Sequence, residues 1–256
     1  MTFTPQASTA EIAQRVGASA HCCEVVSSVP LSPSVRELVL RGNAVGLAGR
    51  PGNDVMLRVG GGEDAYVRRR FSVRGVDAAE DTLTLWMTTE HEGPASRWAQ
   101  DTIPGDHIDV IGPRGKIPLD LEVDWHLFVG DVSGLAAFYS LAQSIEAPGR
   151  AIFVVQIDEP ADALVAPFRD GVEVSAVFVE RREHARNDPA VLLHGLSAVA
   201  LPPGEGHAYL FGEFAVMRAL RDALVDRGMA PERVSHKAYW RLGRENAEHG
   251  EPERDD

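Results

Sequence analysis

The chain has 256 residues, 44% of them hydrophobic, enough for one large domain or two smaller ones around a true core. Its 25 Lys and Arg against 38 Asp and Glu leave a net charge of −13, which argues against nucleic acid as a partner and against adsorption to an anionic membrane. No stretch approaches the roughly 20 apolar residues of a membrane-spanning helix, and the N-terminal residues lack the apolar core of a secretory signal, so a cytoplasmic location is expected.

Residues 1–20 are polar and rich in small side chains, with a weak helical pattern at Ile12 and Val16, and are expected to form an appendage. Cys22 and Cys23 follow as the only cysteines. Adjacent thiols do not readily bridge, and two without further cysteine partners do not make a zinc site. From there short apolar runs alternate with turn residues, at 24–26, 35–40, 54–59, 69–73, 82–87 and 107–111. The breaks between them are Gly- and Pro-rich, as at Pro51, Gly60 to Gly62, Gly93-Pro94 and Pro104-Gly105. That spacing predicts an antiparallel β-barrel over residues 21–120.

The rhythm changes after residue 120. Buried strands are predicted at 126–129, 151–157, 172–179, 207–211 and 234–240, with helices at 135–145 and 213–227. In the second helix Val216, Leu220 and Leu224 form one stripe, and Gly228 sits at its C-terminus. Strands alternating with helices predict a doubly wound α/β domain over 121–243, with a parallel sheet covered on both faces. Residues 244–256 are charged and are expected to fray. None of the nine histidines stands at ligand spacing from another, and no metal is assigned. Asp158, Glu159 and Asp162 read as a turn and helix start rather than a metal site.

Two segments carry candidate chemistry. Arg68 to Arg74 reads R-R-R-F-S-V-R, unusually basic for so acidic a chain. Guanidinium groups match a pyrophosphate, Phe71 offers a flat face and Ser72 a hydroxyl; a solvated, salt-bridged strand face explains the same residues about as well. Gly93-Pro94-Ala95-Ser96-Arg97-Trp98-Ala99 reads as a tight turn entering a short helix, whose N-terminal amides suit a phosphate; an ordinary Pro-started helix is the alternative.

In order and at this spacing the segments resemble the siderophore-interacting protein family, flavin-dependent ferric-siderophore reductases of ferredoxin-reductase-like fold. Arg69, Phe71, Ser72 and Arg74 match its R-x-Y-[ST]-x-R strand, and Gly93 to Ala99 match its G-P-A-S-R-W-A turn. Pro104-Gly105-Asp106, Gly112-Pro113-Arg114-Gly115, Gly130-Asp131 with Ser133, Gly212-Glu213 and Tyr239-Trp240-Arg241 follow in the family's order.

The resemblance implies an oxidoreductase whose barrel holds FAD and whose α/β domain takes NADPH or NADH, passing electrons to a ferric siderophore and releasing Fe(II). It places Arg69, Arg70, Phe71, Ser72, Val73, Arg74, His91, Gly93, Pro94, Ala95, Ser96, Trp98 and Trp240 around FAD. Tyr239 and Trp240 would lie near the reacting rings, with a capped final strand as the alternative. Gly130, Asp131, Ser133, Gly212 and Glu213 would meet the nicotinamide nucleotide. Arg181 and Arg182 would meet a 2′-phosphate, or simply belong to a solvated loop. Arg114, Lys116, Lys237 and Arg241 would meet the substrate, and a monomer or weak oligomer is expected. Several positions depart from the pattern: Phe71 replaces Tyr, Met87 to His91 replaces an L-H-G ending, Val132-Ser133 replaces Glu-Thr, and Asn53 to Met56 lacks a lysine. Those departures keep open a same-fold flavoenzyme with another acceptor, such as a tailoring enzyme or an electron donor to an oxygenase, and a non-catalytic flavin- or ligand-binding module.

Overall fold

The computed structural model describes residues 8–60, 67–89 and 93–243. The expectations for His91 and for the tail 244–256 lie outside them. The chain divides into two compact units between Pro118 and Leu119.

Among the described residues of the first unit, six strands close an antiparallel barrel in the order β1–β2–β5–β4–β3–β6. They are β1 (Ser19–Pro30), β2 (Val35–Arg41), β3 (Asp54–Gly60), β4 (Val67–Asp77), β5 (Thr82–Thr88) and β6 (His107–Arg114). Alternate side chains fill the barrel, as period-two strands require: Leu38 and Leu40, Val55 and Leu57, Leu83, Leu85 and Met87 are all fully buried. Cys23 joins this core, its thiol donating to the Gly42 carbonyl at 3.3 Å, and burial pushes its pKa up to about 12. It is an inert packing group, while Cys22 is exposed.

Among the described residues three helices accompany the barrel: α1 (Thr9–Arg15), α2 (Ala44–Ala48) and α3 (Pro94–Asp101). Within the stretch expected as an appendage, α1 opens with a reciprocal Ser8–Glu11 capping box. It also buries Ala13 and bonds β6 through Thr9 to Asp109 at 3.0 Å. Its polar composition reflects the capping and solvent-facing positions of a short helix.

The second unit is a five-stranded parallel sheet in the order β11–β10–β7–β8–β9. Its strands are β7 (Trp125–Asp131), β8 (Gly149–Ile157), β9 (Val172–Glu180), β10 (Gly206–Glu213) and β11 (Val234–Trp240); the helices are α4 (Leu135–Ala142), α5 (Ala190–Ser197) and α6 (Phe214–Asp226). Alternation sorts the sheet into two chemically different faces. One is aliphatic, with Leu127, Val129, Ile152, Val154 and Leu210 against Leu192 and Leu196 of α5 and Val216, Leu220 and Leu224 of α6. The other is aromatic: Phe128 lies 5.0 Å from Phe153 and 5.1 Å from Tyr209, and Phe138 of α4 covers Phe211 at 5.3 Å.

The chain enters at β7 in the middle of the sheet, winds outward through β8 and β9, and returns to the other side for β10 and β11. The strand order therefore reverses between β7 and β10, and ligands of doubly wound sheets bind beyond the C-terminal ends at that point. No helix among the described residues is long and apolar enough to cross a membrane.

Candidate flavin and nucleotide sites

On β4, Val67 and Phe71 pack against the barrel core around buried Val73. Strand alternation places Arg69 on the same side as Phe71 and gives Arg68, Arg70 and Ser72 the opposite side. Arg70 crosses to β3, where both oxygens of Asp54 receive its guanidinium, Nε at 2.8 Å and Nη2 at 2.6 Å. The Asp54 side chain is only 2% exposed, so this two-point pair is a fixed part of the barrel wall. Arg69 donates to the Arg68 carbonyl at 2.8 Å. Ser72 is buried, and Arg74, past an irregularity between Val73 and Gly75, lies 5.0 Å over the Trp86 ring, whose indole donates to Glu37 at 2.9 Å.

Gly93 forms the N-cap of α3 with no side-chain hydrogen bond to the first turn, and Pro94 follows at the first helical position. Ser96 fastens α3 to the end of β5 by donating to the Thr88 carbonyl at 3.2 Å. Ala95 and Trp98 pack on the barrel core. A cavity of about 520 Å³ opens beside α3, lined by Val59, Val67, Pro94, Arg97, Trp98 and Asp101 among others. That volume is within the range of small-ligand sites. It meets the motif strand at Val67 and the motif turn at Pro94, but is not lined by Arg69 or Phe71. An aromatic and a guanidinium on one strand face, near a helix start whose N-cap is a glycine, suit a flavin dinucleotide's ring and phosphates. The residues present fit FAD.

At the end of β7 the Asp131 carboxylate caps the turn before α4. One oxygen accepts from the Ser133 backbone N–H at 2.9 Å and from the Ser133 hydroxyl; the other accepts from the Trp240 indole at 2.9 Å. Gly130 makes this arrangement possible, since a Cβ there would stand 1.9 Å from the Phe211 carbonyl oxygen of β10. Glu213, 3% exposed, caps α6: one oxygen accepts from Ala215 and Val216 N–H at 2.5 and 3.0 Å, the other from Leu242 at 3.3 Å. Tyr239 stacks on Phe211 at 5.4 Å, and the ammonium of buried Lys237 lies 5.3 Å over its ring. The fold thus gathers Gly130, Asp131, Ser133, Gly212, Glu213, Tyr239 and Trp240 at one end of the sheet. The Asp131–Trp240 bond spans 109 positions, and no local sequence signal points to it.

The remaining candidates lie elsewhere. Arg181 is bound to Asp158 at 2.6 Å and to the His184 carbonyl at 2.6 Å, and Arg186 joins the same carboxylate at 2.9 Å. Arg182 is exposed, with a left-handed backbone, 3.8 Å from Glu180. Glu159 and Asp162 cap each other across a short 3-10 turn. Arg241 is exposed and lies 4.8 Å over the Phe214 ring, which Arg218 approaches at 6.0 Å. Arg114 ends β6 opposite Asp54, and Lys116 is exposed just beyond it.

Two family models match the chain. One, described as siderophore-interacting protein, covers residues 123–243, and the other, siderophore-interacting FAD-binding domain, covers residues 56–117. An uncharacterized protein of Mycobacterium tuberculosis is 35% identical over 188 residues, 69% of this chain and 65% of the relative, so the match spans just under two thirds of that protein's length. The ferric vibriobactin reductase ViuB of Vibrio cholerae is 25% identical over 194 residues, 74% of this chain and 70% of the relative. The crystal structure of a siderophore utilization protein from T. fusca superposes with a TM-score of 0.78 at 22% identity, covering 91% of this chain and 96% of that one. That likeness is one of fold.

Proposed function

The chain belongs to the siderophore-interacting protein family and carries its FAD-binding domain, and from that premise we propose that it is an FAD-dependent oxidoreductase that takes hydride from NADPH or NADH and reduces a ferric siderophore, releasing Fe(II). The observation that carries the reading is the shared face of Arg69 and Phe71 on β4 together with the α3 N-terminus, whose N-cap is a glycine without a capping side chain. Bound FAD supplies the conversion of a two-electron hydride donor into single-electron transfers. Arg69 and the amides of the first α3 turn hold its phosphates, Phe71 packs against its ring system, and the Ser72 hydroxyl reaches a polar ring edge. Trp240, steadied by Asp131, presents a flat indole at the end of the parallel sheet. Arg114, Lys116, Lys237 and Arg241 supply positive charge for an anionic chelate. Iron(II) is the softer ion and is held less tightly by hard oxygen donors, so reduction loosens the complex. The reading places the protein in the cytoplasm, where reduced nicotinamide nucleotides are available.

Anaerobic titration with NADPH and with NADH, followed by ferric chelates, tests each step through the visible flavin spectrum. The expected result is bleaching by the nucleotide and full recovery on adding a ferric siderophore; reduced protein that stays reduced in ferric siderophores rules the acceptor out. One observation favours a second reading, a same-fold flavoenzyme with another acceptor. The segment 53–56 reads Asn-Asp-Val-Met and offers no cation, and its one charged residue, Asp54, pairs with Arg70. Rapid bleaching by NADPH with no response to any ferric chelate selects that reading.

A further inference from the structure

We infer that Asp131 and Glu213 exclude pyrophosphate from the switch-point end of the parallel sheet, so that the hydride donor is recognised through its nicotinamide half; this rests on the reading above that the donor is a nicotinamide nucleotide. In doubly wound sheets a dinucleotide's pyrophosphate sits on the backbone N–H groups that open the helix after the first strand. Here the chain's own carboxylates hold donors at two such places, in the short turn that leads into α4 and at the start of α6. The Ser133 amide and hydroxyl both go to Asp131, and the first amides of α6, on Ala215 and Val216, go to Glu213.

Both carboxylates are nearly out of water, Asp131 at 9% and Glu213 at 3% exposure. Each is also held from a second direction, Asp131 by the Trp240 indole at 2.9 Å and Glu213 by the Leu242 amide at 3.3 Å. A phosphate group would have to break these contacts and then lie beside a displaced like charge in a poorly screened place, which is strongly unfavourable. The space is taken as well: a Cβ built on Gly212 would stand 2.6 Å from Asp131 Oδ2. The carboxylate therefore fills the hollow that a glycine leaves for a close-lying ligand. Of the two expected partners of a 2′-phosphate, Arg181 is bound to Asp158, and Arg182 lies exposed 3.8 Å from Glu180. The specificity-determining groups are thus negative, and they act by refusing the adenosine diphosphate half of the donor.

The test uses the FAD-loaded protein and compares NADPH, NADH and reduced nicotinamide mononucleotide as reductants in anaerobic stopped flow. The three are expected to differ by less than about threefold in the second-order rate of flavin reduction, and ADP-ribose is expected not to compete. Asp131→Asn, which removes the charge but keeps an acceptor, is expected to open an advantage of about tenfold for NADH over the mononucleotide. A wild-type preference for NADPH or NADH above about thirtyfold, or competition by micromolar ADP-ribose, overturns the inference. Loss of that preference in Arg218→Gln or Arg241→Gln would then locate the phosphate site at Phe214. If no dihydronicotinamide reduces the flavin, the hydride-donor reading is what fails. Calorimetry with ADP-ribose then decides the exclusion: binding to the wild type overturns it, and binding to Asp131→Asn alone supports it.

Discussion

Arg69 and Arg70 are neighbours in the chain, yet strand alternation gives them different work. Arg70 is spent on Asp54 inside the barrel wall, whereas Arg69 shares its face with Phe71. Arg70→Met is expected to destabilise the protein by about 3 kcal/mol, because it removes the two-point partner of a buried carboxylate, while the surviving folded protein keeps its flavin. Arg69→Ala is expected to weaken FAD binding by about tenfold with a stability change under about 1 kcal/mol. Urea midpoints and flavin fluorescence separate the two effects, and equal flavin loss in both variants would contradict the assignment. The run of arginines was legible in the sequence, but the division of labour within it was not. That division depends on the β3 partner facing Arg70, and register across a sheet is not written in either strand alone.

A second residue makes the stability pH-dependent. His126 is 4% exposed among aromatic rings, and its Nδ1 has no hydrogen-bond partner among the described residues. Burial, assisted by His207, pushes its pKa down to about 4. The unfolded chain, with an ordinary histidine near pH 6.5, then binds the proton more tightly than the folded one. This contribution is complete above pH 6.5 and is lost as the pH falls towards 4. At pH 5 the loss is roughly 2 kcal/mol from His126 alone. The expected observation is a urea midpoint that drops between pH 7 and pH 5, with a much flatter dependence in His126→Phe. Burial also lowers His207, which keeps an Asp120 contact at 2.9 Å, and supplies the residual slope.

At the scale of elements, the meeting of β7 with β10 is the least forgiving place in the sheet. Gly130 sits so close to the β10 backbone that an added methyl group would overlap the Phe211 carbonyl oxygen at 1.9 Å. Gly130→Ala must push the strands apart where Asp131 and Glu213 are positioned, and a loss of about 3 kcal/mol or more is expected, read as a fall in thermal midpoint. An unchanged midpoint would mean that the two strands part easily. The strands themselves were readable, because alternating or continuous apolar runs follow from facing one core or two, but β9, expected to be buried, is an edge strand with Glu173 to Ala176 exposed. Helix α6 was readable because Val216, Leu220 and Leu224 recur at its period. The helices α2 and α5, of five and eight residues, escaped notice, and the seven-residue α1 showed only as a weak helical pattern at Ile12 and Val16. Each has little more than two turns at most, too short for a period to show, and α5 is apolar on most sides. The turn after β7 was recognised as a nucleotide motif, but its carboxylate proved to be committed within the chain. Only the approach of β11, a hundred residues later, reveals that bond.

Across the whole molecule the decisive quantity is charge. The chain carries −13, and the cations proposed to meet a ferric chelate are few: Arg114, Lys116, Lys237 and Arg241. Lys237 is buried over Tyr239, and Arg241 is laid over Phe214. An anionic chelate approaching from solution therefore meets a repulsive long-range field before it meets any of them. Repulsion of this kind is screened once the Debye length shrinks to a few ångströms, whereas a neutral chelate is indifferent to it. Reoxidation of the reduced flavin by a trianionic ferric catecholate is therefore expected to quicken several-fold as salt rises from about 20 mM to about 0.5 M, and reoxidation by a neutral ferric hydroxamate to stay constant. Stopped-flow rates at the two salt concentrations check this directly. A catecholate rate that falls with salt would show that the local cations outweigh the net charge, and would make an anionic chelate the favoured acceptor. A rate that rises, together with a faster neutral chelate at low salt, would mark an acidic protein suited to uncharged acceptors.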